Sequence, residues 1–238
     1  MYKWTPDAIR FRVDAAEYTR YDEAIAARIL PRLDRSAYVC DAGCGLGYLS
    51  LALAKNTARI AAIDVCADAL DVLRKNIAAE GVKNIDVIEG DLFSAKRRQN
   101  YDAMVFCFFG RVEETLFTAK AQCRGKIFLV KKNWENHRFT LEETPLKGYT
   151  FEKTRAELEA LNIPYDAETF WVEMGQPFRT LADAALFFET YRQEESGPPI
   201  RPEQIEARLS TGGSAAFPYY LPSQKTLGLI EIDVSNIP

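Results

Sequence analysis

The run Val39-Cys40-Asp41-Ala42-Gly43-Cys44-Gly45-Leu46-Gly47 sets three glycines at alternate positions just behind a carboxylate. Glycines so spaced let the chain turn sharply and let a ligand approach the backbone without meeting a Cβ. A pyrophosphate-binding turn uses Gly-x-Gly-x-x-Gly and bare helix-terminal N–H groups, and a carboxylate there would repel the anion. Asp41 stands two residues ahead of Gly43, so a cationic or zwitterionic ligand suits this loop better. Two further acids close short apolar runs: Asp64 in Ala61-Ala62-Ile63-Asp64, and Asp91 in Gly90-Asp91-Leu92-Phe93. Each acid has a plainer reading, as a turn cap, a helix N-cap or a loop acid. Three of them in equivalent places beside one glycine loop favour a common ligand.

Other residues offer weaker chemistry. Phe106-Cys107-Phe108-Phe109-Gly110-Arg111 is rich in rings, which exclude water and attract a cation through their faces. The competing reading is that Phe106 and Phe108 are ordinary buried strand residues. The single histidine, His137, is a candidate general base, with a solvent-facing loop histidine as the alternative. Tyr18, Tyr21, Arg111, Tyr219 and Tyr220 are candidates for lining a substrate pocket, against helix packing, an exposed cation and loop anchoring. Lys96-Arg97-Arg98 and Lys131-Lys132 read as solvated faces. The five cysteines are odd in number and form no C-x-x-C pair, so they read as reduced thiols in a cytoplasmic protein. Cys40, Cys66 and Cys107 fit small buried side chains better than metal ligands.

These groups need a scaffold that brings them to one rim. Asp14 to Leu33 carries Ala15, Tyr18, Tyr21, Ala24, Ile25, Ile29 and Leu33 at helical spacing. From Ala37 the pattern changes to short β-type runs at Tyr38–Asp41, Arg59–Asp64, Ile85–Glu89, Ala103–Phe108 and Lys126–Val130. Helical runs at Tyr48–Lys55, Ala67–Gly81 and Glu113–Cys123 separate them, with Gly81 and Gly125 placed as helix C-caps. This alternation predicts an α/β core with a doubly wound parallel sheet. Beyond it the spacing predicts a polar loop over Trp134 to Gly148, a helix at Phe151–Leu161 and strands at Glu168–Met174 and Leu227–Val234. Between those strands, Gln176–Pro222 reads as an insertion forming a lid or pocket wall. It contains helices at Leu181–Tyr191 and Glu203–Leu209, a Pro-rich turn at Gly197, Pro198, Pro199 and Pro202, and a loop at Gly213–Pro222.

The complete match of Val39–Gly47 to [V/I/L]-x-D-x-G-C-G-x-G resembles the glycine motif of class I S-adenosylmethionine (SAM)-dependent methyltransferases. The resemblance continues through Asp64 and Gly90-Asp91-Leu92-Phe93, covering about Tyr38 to Val130. It implies a Rossmann-like seven-stranded sheet of order 3-2-1-4-5-7-6 with the last strand antiparallel, and SAM as cofactor with S-adenosylhomocysteine as product. It places Asp41 near the methionine amino group, Asp64 on the ribose hydroxyls and Asp91 at the adenine amino group. Gly43, Cys44, Gly45 and Gly47 would form the pocket floor, Val65 or Phe93 would flank the adenine, and Leu92 and Cys107 complete the cofactor set. Phe108, Phe109 and Arg111 would then face the acceptor. This segment is not the Asn/Asp-Pro-Pro-Tyr motif of methyltransferases acting on nucleobase or glutamine nitrogen, and it shows no acid for Mg²⁺. Metal-free chemistry is the expectation.

Composition narrows the partners. Thirty Lys and Arg against 34 Asp and Glu give a net charge of −4, a poor match to a phosphate backbone. No apolar run approaches the roughly 20 residues of a membrane span, and the N-terminal residues do not read as a signal peptide. Residues 1–37 are expected to form a helical cap and 38–238 the SAM-binding domain. The expected protein is a monomer or homodimer acting on a small molecule by in-line displacement. An enzyme methylating RNA or protein and a non-catalytic SAM-binding protein are the alternatives.

Overall fold

The computed structural model describes residues 4–94, 101–137, 139–141, 144–146, 148–192 and 200–238. The Lys96-Arg97-Arg98 run and the Gly197-Pro198-Pro199 turn lie outside the described residues. The chain divides into two compact units. The larger comprises Asp22–Asn133, Tyr149–Phe170 and Thr226–Pro238, and the smaller Met1–Tyr21, Trp134–Gly148 and Trp171–Lys225.

The larger unit is the α/β core. Its chain order starts in helix α2 (Tyr21–Ile29), followed by β1 (Tyr38–Ala42), α3 (Tyr48–Ala54), β2 (Arg59–Asp64), α4 (Ala67–Glu80) and β3 (Ile85–Glu89). Then come β4 (Tyr101–Cys107), α5 (Val112–Gln122), β5 (Cys123–Lys132), α6 (Phe151–Ala160) and β6 (Asp166–Glu173), and finally β10 (Gln224–Asp233). The strands form one seven-stranded sheet of order β3-β2-β1-β4-β5-β10-β6. β1 pairs in parallel with β2 and β4, β2 with β3, and β4 with β5. β10 lies antiparallel to β5, with Leu229 opposite Val130. With the strands of the insertion set aside, this is the expected order, reversed last strand included. The central strands are buried on both faces, as a sheet covered by crossover helices requires: Val39, Ile60, Val105, Phe106, Phe128 and Leu129 are all fully enclosed.

Local chemistry explains most boundaries. Helix α4 ends where Gly81 adopts φ 66°, a left-handed C-cap. Gly125, expected as a cap, instead lies inside β5, because α5 runs directly into the strand at Cys123. Its hydrogen faces the carbonyl of Asp102, and a Cβ there would sit 2.3 Å from that oxygen.

The smaller unit contains α1 (Pro6–Thr19), β7 (Gln176–Phe178), α7 (Leu181–Thr190), α8 (Pro202–Glu206), β8 (Ser210–Ser214) and β9 (Phe217–Leu221). Asp14 to Leu33 is not one continuous helix: α1 stops at Arg20, which turns left-handed at φ 54° and donates its N–H to the Ala16 carbonyl. The insertion is not purely helix and loop either, since β7, β9 and β8 form a three-stranded antiparallel sheet. Its edge strand, Ser210-Thr211-Gly212-Gly213-Ser214, is fully exposed and has no apolar residue, so no period-two signal marks it. Phe11, Phe139, Phe178, Phe187, Phe188, Ile205 and Leu221 make this unit's own core, with Phe11 edge-on to Phe187 at 5.0 Å. Arg179 grips the buried Asp14 carboxylate with both terminal nitrogens, Nη2 at 2.7 Å.

Opposite Lys131 on β10 lies Gly228, where an added Cβ would come within 2.0 Å of the Phe151 ring. Gly228→Ala should therefore overpack the sheet–helix layer and destabilise the protein by roughly 1–3 kcal/mol. Urea unfolding monitored by circular dichroism measures the loss.

Candidate functional site

The rim at the carboxyl ends of β1, β2 and β4 is built from the glycine loop outward. Gly43, Gly45 and Gly47 take φ of 68°, 54° and 76°, all left-handed, which L side chains adopt at a cost. Cys44 donates its N–H to the Ile63 carbonyl at 3.0 Å, and Gly47 to the Cys44 carbonyl at 3.0 Å. Two of the glycines are also required by neighbours. A Cβ on Gly43 would lie 2.6 Å from the Phe109 ring, and one on Gly47 2.4 Å from Leu73 Cδ1 on α4.

Asp64 ties this loop to the next element. Its Oδ2 accepts the Gly45 N–H at 2.9 Å, and its Oδ1 accepts the Cys66 N–H at 2.9 Å, at the start of α4. A carboxylate has about four acceptor directions, so it retains capacity for ligand hydroxyls. Val65, next along, is 39% exposed.

Asp41 is enclosed, with Ser50 Oγ of α3 donating to its Oδ2 at 2.5 Å. Burial pushes its carboxyl up to about 7; the Ser50 hydrogen bond opposes the shift, and the Asp22 and Asp64 carboxylates add to it. Burial likewise raises the thiols of Cys40 and Cys44, which makes them poor nucleophiles. The Asp41 neighbourhood can receive a positive charge.

Asp91, by contrast, is exposed and closes its own turn. It accepts from Ser94 Oγ and from the Phe93 N–H at 2.9 Å, and the Ser94 hydroxyl in particular holds it below the usual carboxylate range. Leu92 is buried. Phe93 stacks face to face on Phe109, centroids 5.0 Å apart and planes 7° from parallel.

After β4, Cys107 is half-buried and Phe108 is left-handed at φ 55° and 38% exposed. Gly110 turns at φ 70°, where a Cβ would strike Thr115 Cγ2 at 2.5 Å. Arg111 precedes α5 and donates its N–H to the Glu114 carboxylate at 3.1 Å, with its guanidinium 5.9 Å from the Tyr149 ring centroid. Beneath this loop lies Lys131, and its reading as a solvated residue is corrected: it is 3% exposed, closing the buried run Ile127-Phe128-Leu129-Val130. Its Nζ donates to the carbonyls of Phe109 and Gly110, each at 3.0 Å. Burial lowers its ammonium to about 8, against the raising influence of Cys107 and Glu157. Ser50 was not singled out from the sequence, and Lys131 was read there only as part of a solvated face. Ser50 sits among apolar helix residues, and Lys131 begins a Lys-Lys pair that looks like surface.

The remaining candidates belong to the smaller unit. His137 donates its N–H to the Thr144 carbonyl at 2.6 Å and packs beside Phe139, ring centroids 6.5 Å apart. Tyr18 meets Phe217 edge-on at 5.8 Å and Tyr220 at 5.0 Å. Tyr21 is buried under the Arg12 guanidinium, 4.6 Å from its centroid. Tyr219 packs on the aromatic core, and Tyr220 donates its hydroxyl to Glu173 at 2.6 Å.

Residues 39–124 match a family described as "Methyltransferase domain". Over that segment the chain is similar to methyltransferases. Among solved structures, a methyltransferase from Bacillus halodurans C-125 aligns over 90% of this chain and 99% of its own, with a TM-score of 0.56 at 13% identity. A SAM-dependent methyltransferase from Aquifex aeolicus aligns over 71% and 94%, with a TM-score of 0.55 at 20% identity. At these identities the likeness is one of fold. Curated relatives include release factor glutamine methyltransferases of Xylella fastidiosa (33% identical over 87 residues) and Chlorobaculum tepidum (43% over 76). The matches take in 35% and 31% of this chain and 32% and 26% of those enzymes, so the chain spans about a third or less of their length. The domain's matched segment holds the glycine loop, Asp64, Asp91 and the loop after β4, and ends before Lys131. Among the described residues, no helix is long and apolar enough to cross a membrane.

The raised Asp41 carboxyl has a stability consequence. Its folded value, about 7, lies above the ordinary 3.8, so the folded state holds the proton more tightly and stability falls as pH rises between the two. Above pH 7 the whole penalty is present, and below the ordinary value it vanishes. Asp41→Asn should therefore stabilise the unliganded protein at about pH 8 by on the order of 1–3 kcal/mol and have little effect near about pH 4. Denaturant titrations at the two pH values check the sign.

Proposed function

We propose that the protein transfers a methyl group from SAM to a small-molecule acceptor, without a metal ion. The observation that carries the reading is the left-handed glycine loop clasped by Asp64, with the enclosed Asp41 carboxyl behind it. The residues present suit this cofactor chemically: a carboxyl that burial has pushed up in pKa gains most from a ligand ammonium, and an Asp64 with spare acceptor capacity suits a ribose diol. SAM, when bound, supplies a methyl group on a positively charged sulfur.

The chain's own contribution is binding, alignment and exclusion of water. Asp41 pairs with the amino group and ionises as it does so. Asp64 accepts the ribose hydroxyls while keeping its two backbone donors. Val65 and Phe93 border the adenine, and Asp91, exposed at the turn, is available to its amino group. Phe108 and Phe109 present ring faces on the acceptor side, where they favour a cation and keep the site dry. In-line displacement needs alignment above all, and positioning can supply several kcal/mol of a barrier, of order 7–11 in the best cases. Arg111, just ahead of α5, is proposed to serve the acceptor.

The glutamine methyltransferase relatives favour a second reading, transfer to a protein. Against it, the loop after β4 is Cys-Phe-Phe-Gly where amino-methyltransferases carry Asn/Asp-Pro-Pro-Tyr. Incubation with methyl-labelled SAM, a cell extract and size fractionation separates the readings: label in the small-molecule fraction supports ours, and label on protein supports the other.

Calorimetric titration with S-adenosylhomocysteine tests the cofactor assignment. Binding should strengthen as pH rises through about 7, because an ionised Asp41 is the better partner for an ammonium. Asp64→Ala should weaken binding by on the order of 1–3 kcal/mol. No heat of binding at about millimolar ligand would sink the proposal, since that limit already corresponds to only about 4 kcal/mol.

A further inference from the structure

Lys131 is a buried basic residue that the proposed chemistry does not use. It sits in a central strand, where an apolar residue of similar length would avoid the cost of desolvating an ammonium. Two of its three N–H donors are committed to consecutive carbonyls, Phe109 O and Gly110 O, both at 3.0 Å. Those carbonyls belong to a strained turn: Phe108 holds φ 55° and Gly110 φ 70°. A non-glycine residue in the left-handed region is strained, and such strain persists only where the surroundings enforce it. The turn is fixed from below by Lys131 and by the Phe108 N–H to the Val130 carbonyl at 2.9 Å. On its other side the Phe109 ring fills the space a Cβ on Gly43 would need, and stacks on Phe93. Lys131, the strained turn and the cofactor-side glycine loop therefore form one continuous chain of contacts.

We propose that Lys131 is a positioning residue that clamps the Phe108–Gly110 turn through its two carbonyls, seats Phe109 against Gly43, and thereby sets the affinity of the glycine loop for its cofactor. The cofactor part rests on the SAM reading; the clamp itself does not.

The groups facing Lys131 are Cys107 on β4 and Glu157 on α6, and its neighbour on β10 is Gly228, which has no side chain. Deprotonation of Lys131 should consequently loosen the turn. Hydrogen exchange of peptides spanning residues 104–112, measured on the unliganded full chain, tests the clamp. In Lys131→Met it should quicken by about tenfold or more, as loss of hydrogen bonds to a charged donor implies, while peptides from β1 and β2 keep their rates. In the wild type the same peptide, corrected for intrinsic base-catalysed exchange, should quicken above about pH 8, which keeps the test decisive if Lys131→Met does not fold. Unchanged exchange in the variant, or a flat corrected profile in the wild type, overturns the clamp. S-adenosylhomocysteine affinity should fall about tenfold in Lys131→Met, and the variant should lack the decline expected of the wild type above about pH 8. Loosened exchange with unaltered affinity and pH profile overturns the link to the cofactor. A wild type that binds no S-adenosylhomocysteine overturns the methyltransferase proposal instead, and the exchange measurement still decides the clamp.

Discussion

The Asp64 carboxylate accepts two backbone N–H groups, those of Gly45 and Cys66, and the rim of the sheet depends on that double acceptance. Each amide stands where no secondary-structure partner is available: one in a left-handed loop, the other at the start of α4, where the Cys66 side chain caps nothing. One carboxylate thus fixes the exit of β1 to the exit of β2 and begins the next helix. Once α4 is set, Leu73 occupies the space beside Gly47, and once the turn after β4 is set, Phe109 occupies the space beside Gly43. The glycines are needed twice over, for their backbone conformation and for the neighbours pressed against them.

Among the charged groups the protein buries are Asp41, held by Ser50, and Lys131, held by two carbonyls. Their opposite shifts, the acid upward and the amine downward, share one cause, the cost of charge away from water. Exposed pairs such as Lys55–Glu23 and Arg59–Asp86 contribute little by comparison. Groups that cost stability and persist in a core point to a site whose geometry matters more than its folding free energy.

Where apolar runs and glycines act locally, the sequence and the structure agree closely. The boundaries of β2 and β3 and the start of α4 were legible, because buried parallel strands read as continuous apolar segments and Gly81 can end a helix in only a few ways, whereas the order of the sheet followed from the family resemblance. The glycine loop and Asp64 were legible too, since backbone conformation and strand ends are properties of short windows. The β8–β9 hairpin was not, because β8 is an exposed edge of Ser, Thr and Gly held by pairing to β9 and not by burial of its side chains. Lys131 was misread for the converse reason: its burial is decided by carbonyls some twenty residues away in the chain, and a Lys-Lys pair carries no mark of it. Gly125 reads like a cap, but its constraint is the Asp102 carbonyl on the neighbouring strand.

The matched segment, residues 39–124, ends where these long-range constraints begin. It contains the residues whose geometry a shared cofactor would keep constant: the glycine loop, the acid at the end of β2 and the turn after β3. The smaller unit has an aromatic core of its own around Phe11, Phe139 and Phe187, and its own ion pair between Asp14 and Arg179. A fold divided in this way permits one cofactor half to serve many acceptors, so short similarity to glutamine methyltransferases speaks to the shared half. The turn after β4 belongs to the larger unit and carries two aromatic rings, Phe108 and Phe109, while the buried Lys131 ammonium donates to two of its carbonyls, so the shape of a turn inside the matched segment is set by a residue beyond it.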